Sequence, residues 1–212
     1  MEGTEPTVEK KNERADIDAS WTLFLDRDGV INEDHVGGYT LSIDEFILCE
    51  GAKEAMVQFA RQFGRIVICT NQRCIGRGLL TEQGLRDIHA YLLELITPDG
   101  GRIDHFYYAK ELSDSDPLRK PNPGMAIQAR KDFPEIDLNK SIMVGNNFSD
   151  MEFAINAGIA YKVFLHTTIQ ERPTREGKAT SDLNFQSLKD FADSIKDNTI
   201  TKPAQNYLSC KQ

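Results

Sequence analysis

Four short stretches of the 212-residue chain gather the side chains that could do chemistry. The first reads Asp26-Arg27-Asp28-Gly29-Val30-Ile31-Asn32. On extended backbone, two carboxylates one residue apart point toward the same side. Transfer of a phosphoryl group to a carboxylate needs one group to attack and another to protonate the leaving oxygen. Asp26 and Asp28 can divide those roles, with a magnesium ion offsetting their mutual repulsion. Gly29 lets the backbone turn sharply and come close to a phosphate. A D-x-D-G stretch is also an ordinary surface turn, but the apolar run directly before it argues against that.

The second stretch is Thr70-Asn71-Gln72-Arg73-Cys74-Ile75-Gly76-Arg77-Gly78. A hydroxyl and an amide at a strand end, beside free backbone N–H groups, make a small anion cradle. Arg77, between two glycines, could fork onto a second anionic group of a substrate. The third is Arg119-Lys120-Pro121-Asn122-Pro123-Gly124-Met125, where the proline after Lys120 restricts that residue to extended shapes. A lysine held there can neutralise charge on a transferring phosphoryl group. In the fourth, Gly145-Asn146-Asn147-Phe148-Ser149-Asp150, amide and carboxylate oxygens could complete a magnesium site. Asp150 also falls in the first turn of a helix, where a carboxylate is favoured regardless of any metal.

These stretches need a scaffold, and the hydrophobic pattern supplies one. Short apolar runs at 21–25, 65–70, 103–109, 141–144 and 161–165 read as buried strands. Between them, Ala52, Ala55, Met56, Phe59, Ala60 and Phe63 recur at helical spacing, with Gly64 as a stop. Thr81 can cap a helix carrying Leu85, Ile88, Leu92 and Ile96 on one face. Pro123 is suited to open a helix to about Lys131. Another helix is expected over 149–157 with Gly158 ending it. A weak strand and a last helix are expected within 182–195. Alternating strands and helices imply an open α/β fold, a doubly wound parallel sheet. Such a sheet binds ligands outside the carboxyl ends of its strands, where all four stretches fall. Residues 1–20 lack periodicity and read as a flexible arm, 21–197 as one domain, and 198–212 as a loose tail.

Composition narrows the partners. Lys and Arg total 25 against 33 Asp and Glu, a net charge of −8. That balance disfavours bulk nucleic acid and anionic membrane, though a local basic pocket can still hold one phosphate. No apolar run approaches the roughly 18 residues needed to span a bilayer, and no signal peptide is visible. Cys49, Cys69, Cys74 and Cys210 show neither C-x-x-C spacing nor His partners at zinc-finger intervals. A reduced, cytoplasmic protein is the expectation.

Taken together, the four stretches resemble the haloacid dehalogenase superfamily of phosphatases: a strand ending in D-x-D-G, a strand ending in Thr or Ser, a Lys, and a final acidic loop. The resemblance spans about Trp21 to Leu165. Within the superfamily, the D-R-D-G-V-I-N, T-N-Q, R-G and R-K-P-N-P-G-M segments look like the heptose 1,7-bisphosphate and histidinol-phosphate phosphatase branch. The branch implies a Rossmann-like core with no large cap domain, and a monomeric, magnesium-dependent enzyme acting on small phosphorylated metabolites. It implies Asp26 as nucleophile, Asp28 as general acid and base, and Thr70 and Lys120 as phosphoryl clamps. Arg77 and Arg119 become substrate contacts beside Asn71 and Gln72. Asp26, the Asp28 backbone carbonyl, Asn146 and Asp150 become the metal ligands.

Two departures stand out. The branch's zinc loop of Cys and His has no counterpart between Ala109 and Leu118, so structural zinc is not expected. Asn146 stands where the family carries a magnesium-binding Asp, and Asn147 replaces the usual Lys. An amide oxygen can ligate magnesium but brings no charge, so weakening by an order of magnitude or more is expected, at ~1.4 kcal/mol per tenfold. Activity at raised magnesium follows. Two other readings stay open: a polynucleotide 3′-phosphatase, which shares T-N-Q, I-G-R-G and R-K-P, and a non-catalytic binder of a phosphorylated ligand.

Overall fold

The run Thr22–Leu25 (β2) is flanked on both sides by parallel strands and is buried along its whole length, which explains why it is apolar at every position but its first. In a computed structural model, which describes residues 13–35, 37–168 and 181–202, the elements alternate as the sequence pattern implies. After β1 (Glu13–Asp16) and β2 come α1 (Ala52–Gln62), β3 (Arg65–Asn71), a single helical turn α2 (Arg73–Gly76) and α3 (Glu82–Ile96). There follow β4 (His105–Ala109), α4 (Gly124–Asp132), β5 (Ser141–Gly145), α5 (Phe148–Ala157), β6 (Tyr161–Leu165), β7 (Leu183–Phe185), α6 (Leu188–Ser194) and β8 (Thr199–Lys202).

Six strands form one sheet in the order β4-β3-β2-β5-β6-β7, and every neighbouring pair is parallel. Leu25 is paired with Ile68 on one side and Val144 on the other. The chain winds outward from β2 in both directions, so the order reverses between β2 and β5, and the crevice of a doubly wound sheet opens there.

Successive strand residues face opposite ways, and the core divides accordingly. Leu23, Leu25, Ile66, Ile68, Ile142 and Val144 point to the face covered by α1, α3 and α6. Phe24, Val67, Cys69 and Met143 point to the face covered by α4 and α5. Each such side chain, fully buried, contributes about 1.5–3 kcal/mol. Thr81 caps α3 through Oγ1, which accepts from the Gly84 N–H at 3.0 Å. Gly158 ends α5 in the left-handed conformation.

Several boundaries move. The expected strand at 103–109 begins at His105, Pro123 caps α4 rather than opening it, and α5 starts at Phe148. Arg73–Gly76, within the second polar stretch, forms a helical turn. The larger difference lies in the segments expected to be arm and tail. Glu13–Asp16 and Thr199–Lys202 pair as antiparallel strands, with Ile17 and Ile200 buried beside them. Residues 1–12 and 203–212 lie outside the described residues. No helix of the described residues is long and apolar enough to cross a membrane.

Candidate active site

Asp26 continues the ladder one residue past β2, its N–H donating to the Val144 carbonyl at 3.0 Å. That bond fixes it at the switch between β2 and β5. Thr70 stands near the end of β3, Asn146 follows β5, and Lys120 lies in the loop between β4 and α4. These residues, with Asp28, Asn71 and Arg119, line one cavity of about 690 Å³. Seven of the ten residues expected from the sequence thus meet around a single space.

Lys120 is the hub. Its Nζ lies 2.9 Å from Asp26 Oδ1 and 2.6 Å from Asp150 Oδ1, and it is almost wholly buried. Burial alone would push this ammonium down; the Asp150 and Asp26 carboxylates reverse that and hold it above the ordinary lysine range. Asn71 clamps its backbone from both ends, Nδ2 donating to the Lys120 carbonyl and Oδ1 accepting from the Lys120 N–H, both at 3.0 Å. The Lys120–Pro121 peptide bond is cis.

The two aspartates of the first loop are in opposite electrostatic situations. Burial raises the Asp26 carboxyl to about 7, against the pull of Lys120, with the Asp150 and Asp28 charges adding to the rise. Asp28 is held below the usual carboxylate range: burial opposes its charge, but the Arg27 guanidinium more than offsets it, aided by Asn32 and Gln72. Arg27 Nη2 reaches both Asp28 oxygens at 2.8 and 2.9 Å. Asn32 Nδ2 reaches Oδ1 at 3.0 Å and Gln72 Nε2 reaches Oδ2 at 2.9 Å. Arg27 is completely buried, and His89 from α3 lies against its Nη1 at 3.4 Å while stacking on Phe106.

Three expected residues, Gln72, Asp150 and Arg77, do not line the cavity. Gln72 is buried behind the cavity, where Nε2 also donates to Thr70 Oγ1 at 2.9 Å. Asp150 lies beneath the cavity rather than on its wall. One of its oxygens takes Lys120 and the other accepts the Asn147 N–H at 2.9 Å, half of a capping box that opens α5. Arg77 is exposed outside the cavity, its guanidinium 5.8 Å from the centre of the Tyr39 ring. Among the described residues no group of three or more His, Cys, Asp or Glu side chains is arranged to hold a metal. Asp26 and Asn146 are the expected ligand side chains that do reach the cavity with Asp28.

The wall also contains residues that the sequence did not single out. Asp34, Asp114, Glu152 and Thr168 line it. Asp114, 81% exposed, accepts from Arg119 Nε at 2.9 Å and from Arg73 Nη2 at 2.6 Å. Arg119 Nη1 is buried without a partner among the described residues. Thr168 sits beyond β6, and nothing in its local sequence marks it.

Residues 8–158 match the family model described as "Hydrolase: haloacid dehalogenase-like hydrolase". The chain is 35% identical over 191 residues to D-glycero-beta-D-manno-heptose-1,7-bisphosphate 7-phosphatase of Escherichia coli K12, covering 86% of this chain and 96% of that one. It is 32% identical over 180 residues to the D-glycero-alpha-D-manno-heptose-1,7-bisphosphate 7-phosphatase of Campylobacter jejuni, covering 84% and 97%. Among solved structures it is similar to the D,D-heptose 1,7-bisphosphate phosphatase of B. bronchiseptica complexed with magnesium and phosphate. That match has a TM-score of 0.75 at 26% identity, covering 84% of this chain and 98% of the other.

Proposed function

This chain belongs to the haloacid dehalogenase-like hydrolase family, and from that premise we propose that it hydrolyses one phosphate ester of a small sugar bisphosphate of the heptose 1,7-bisphosphate kind. The observation that carries the reading is the Asp26–Lys120 contact of 2.9 Å at a cavity that also presents Asp28, Thr70 and Arg119.

Asp26 attacks the phosphorus in line. Both of its contacts, from Lys120 Nζ and from the Arg27 N–H at 2.8 Å, fall on Oδ1, so Oδ2 is the oxygen left to form the new bond. The P–O bond to the sugar breaks as Asp28 hands its proton to the departing oxygen. Asp28 is ionised in the free site; a phosphate dianion drawn beside it raises its affinity for that proton. Water then attacks the aspartyl-phosphate while Asp28, ionised again, takes up its proton. Thr70 and Lys120 hold the phosphoryl oxygens, and Arg119, with a spare N–H bond, meets the second phosphate.

Magnesium fits the donor set, because the cavity offers oxygen ligands and no sulfur or imidazole. Asp26 and the Asn146 amide oxygen, with the Asp28 backbone carbonyl suggested by the family, would hold it. When bound it neutralises charge on the transferring phosphoryl group. Asp150 supports Lys120 instead of the ion.

The carboxylates of Asp34, Asp114 and Glu152 on the same wall weigh against a polynucleotide, whose adjoining phosphates they would repel. Phosphate release from heptose 1,7-bisphosphate of both anomers, histidinol phosphate and a 3′-phosphorylated oligonucleotide, with and without magnesium, tests the proposal. The heptose esters should be cleaved only with magnesium, and not by Asp26→Asn. Binding without release would make the protein a binder, and cleavage of the oligonucleotide alone would replace the substrate class.

A further inference from the structure

Thr167 and Thr168 follow β6, two strands away from Asp26, yet both reach into the site. Thr167 Oγ1 donates to the Gly29 carbonyl. Thr168 Oγ1 accepts from Asn146 Nδ2 at 2.6 Å and donates to Asp34 Oδ2 at 3.3 Å. Asn146, 4% exposed, is pressed against Gly29, where any Cβ would run into its Nδ2.

We propose that Thr168 is a positioning residue that decides which end of the Asn146 amide faces the cavity, and so enables a neutral side chain to serve as a divalent-cation ligand. The argument follows donors and acceptors along the chain Asp34–Thr168–Asn146. An ionised carboxylate only accepts, so the single Thr168 hydroxyl proton goes to Asp34. The Thr168 oxygen then offers lone pairs to Asn146, and only the NH₂ end of the amide can use them. Oδ1 is turned the other way, and among the described residues nothing donates to it.

An aspartate at 146 would need no such device, because its two oxygens are equivalent. An asparagine does need one, since the reversed amide would aim two N–H donors at a cation and repel it. The neighbour that orients a ligand typically changes metal affinity by about 10–100-fold. This inference rests on the reading of Asn146 as a magnesium ligand, and the experiment separates the two.

Magnesium binding to the intact protein, without substrate, is to be measured by titration calorimetry and by the magnesium-dependent rise in melting temperature. The set is wild type, Thr168→Val, Thr168→Ser, Asn146→Asp and the double variant Asn146→Asp/Thr168→Val. Thr168→Val should weaken magnesium by roughly 10-fold or more, and Thr168→Ser should restore most of that affinity. Asn146→Asp should bind more tightly, and adding Thr168→Val to it should change affinity by less than about twofold. Equal weakening in both backgrounds would reduce Thr168 to a general packing role and overturn the inference while leaving Asn146 a ligand. Binding by Asn146→Asp but not by wild type would overturn it too, since the amide would then not be serving. Unchanged affinity in Asn146→Asp would remove the ligand reading and the inference together.

Discussion

Asp150 Oδ1 lies 2.6 Å from Lys120 Nζ in a pair that solvent barely touches, so the acid at the end of the fourth loop fixes the cation above it. Removing one partner of a buried pair strands the other charge, at a cost of about 3–5 kcal/mol. Asp150→Asn should lower the unfolding free energy by that order in urea titration. Asp150→Asn/Lys120→Met should recover much of the stability and none of the activity. A single variant as stable as wild type would show that Asp150 is not what holds Lys120.

Gln72 joins two loops of the cavity from behind, bridging Asp28 Oδ2 and Thr70 Oγ1. A hydrogen bond to a charged group is worth roughly 1.5–3 kcal/mol. Gln72→Leu should therefore cut kcat about tenfold or more while moving KM little, because it orients Asp28 and does not touch substrate. An effect confined to KM, read from steady-state phosphate release, would make Gln72 a substrate contact after all.

His89 gives the fold a pH dependence. Burial lowers its pKa to about 3, and the neighbouring Arg27 charge lowers it further than Asp28 restores it. An unfolded histidine takes a proton near 6.5, so protons favour the unfolded chain between those values. Stability that is complete above about pH 6.5 should decline as pH falls toward 3. His89→Phe keeps a ring against Phe106 and should flatten the melting temperature across pH 4–6.5. The same slope in the variant would assign the effect elsewhere.

Gly29 and Gly78 make a matched pair. Both have positive φ, 77° and 72°, but a Cβ at Gly29 would collide with Asn146 while one at Gly78 meets open space. Alanine at either position costs about 1–2 kcal/mol for the left-handed backbone. Gly29→Ala should lose more than Gly78→Ala and should also weaken magnesium binding. Equal losses in chemical denaturation would mean that Asn146 can move aside freely.

The parallel sheet was readable because its strands are short apolar runs that end in chemically distinctive residues, as Leu25 gives way to Asp26 and Cys69 to Thr70. The positions of Asp26, Thr70 and Lys120 around one cavity followed from that. What stayed hidden depends on contacts between distant parts of the chain. An arginine in a turn looks like a surface residue, and only the fold shows Arg27 sealed against Asp28 and His89. Asp150 could be ligand or helix start. The Asn147-x-x-Asp150 spacing held the capping signal, and the buried amine of Lys120 accounts for its other oxygen. Thr168 carries no local mark at all, since its contacts are with Asn146 and Asp34, both far from it in sequence. Polar β1 and β8 become strands only through each other.

Their pairing sets Glu13 opposite Lys202, some 190 residues apart in the chain and neighbours in space. The described polypeptide is in effect a closed ring whose seam is an antiparallel ribbon. Bridging 202 to 13 with a few residues and opening the ring at the exposed 97–100 turn should give a permuted protein that keeps all six parallel strands. Tension applied at Glu13 and Lys202 would part that seam rung by rung, like a zipper, before it loaded the sheet that carries the site.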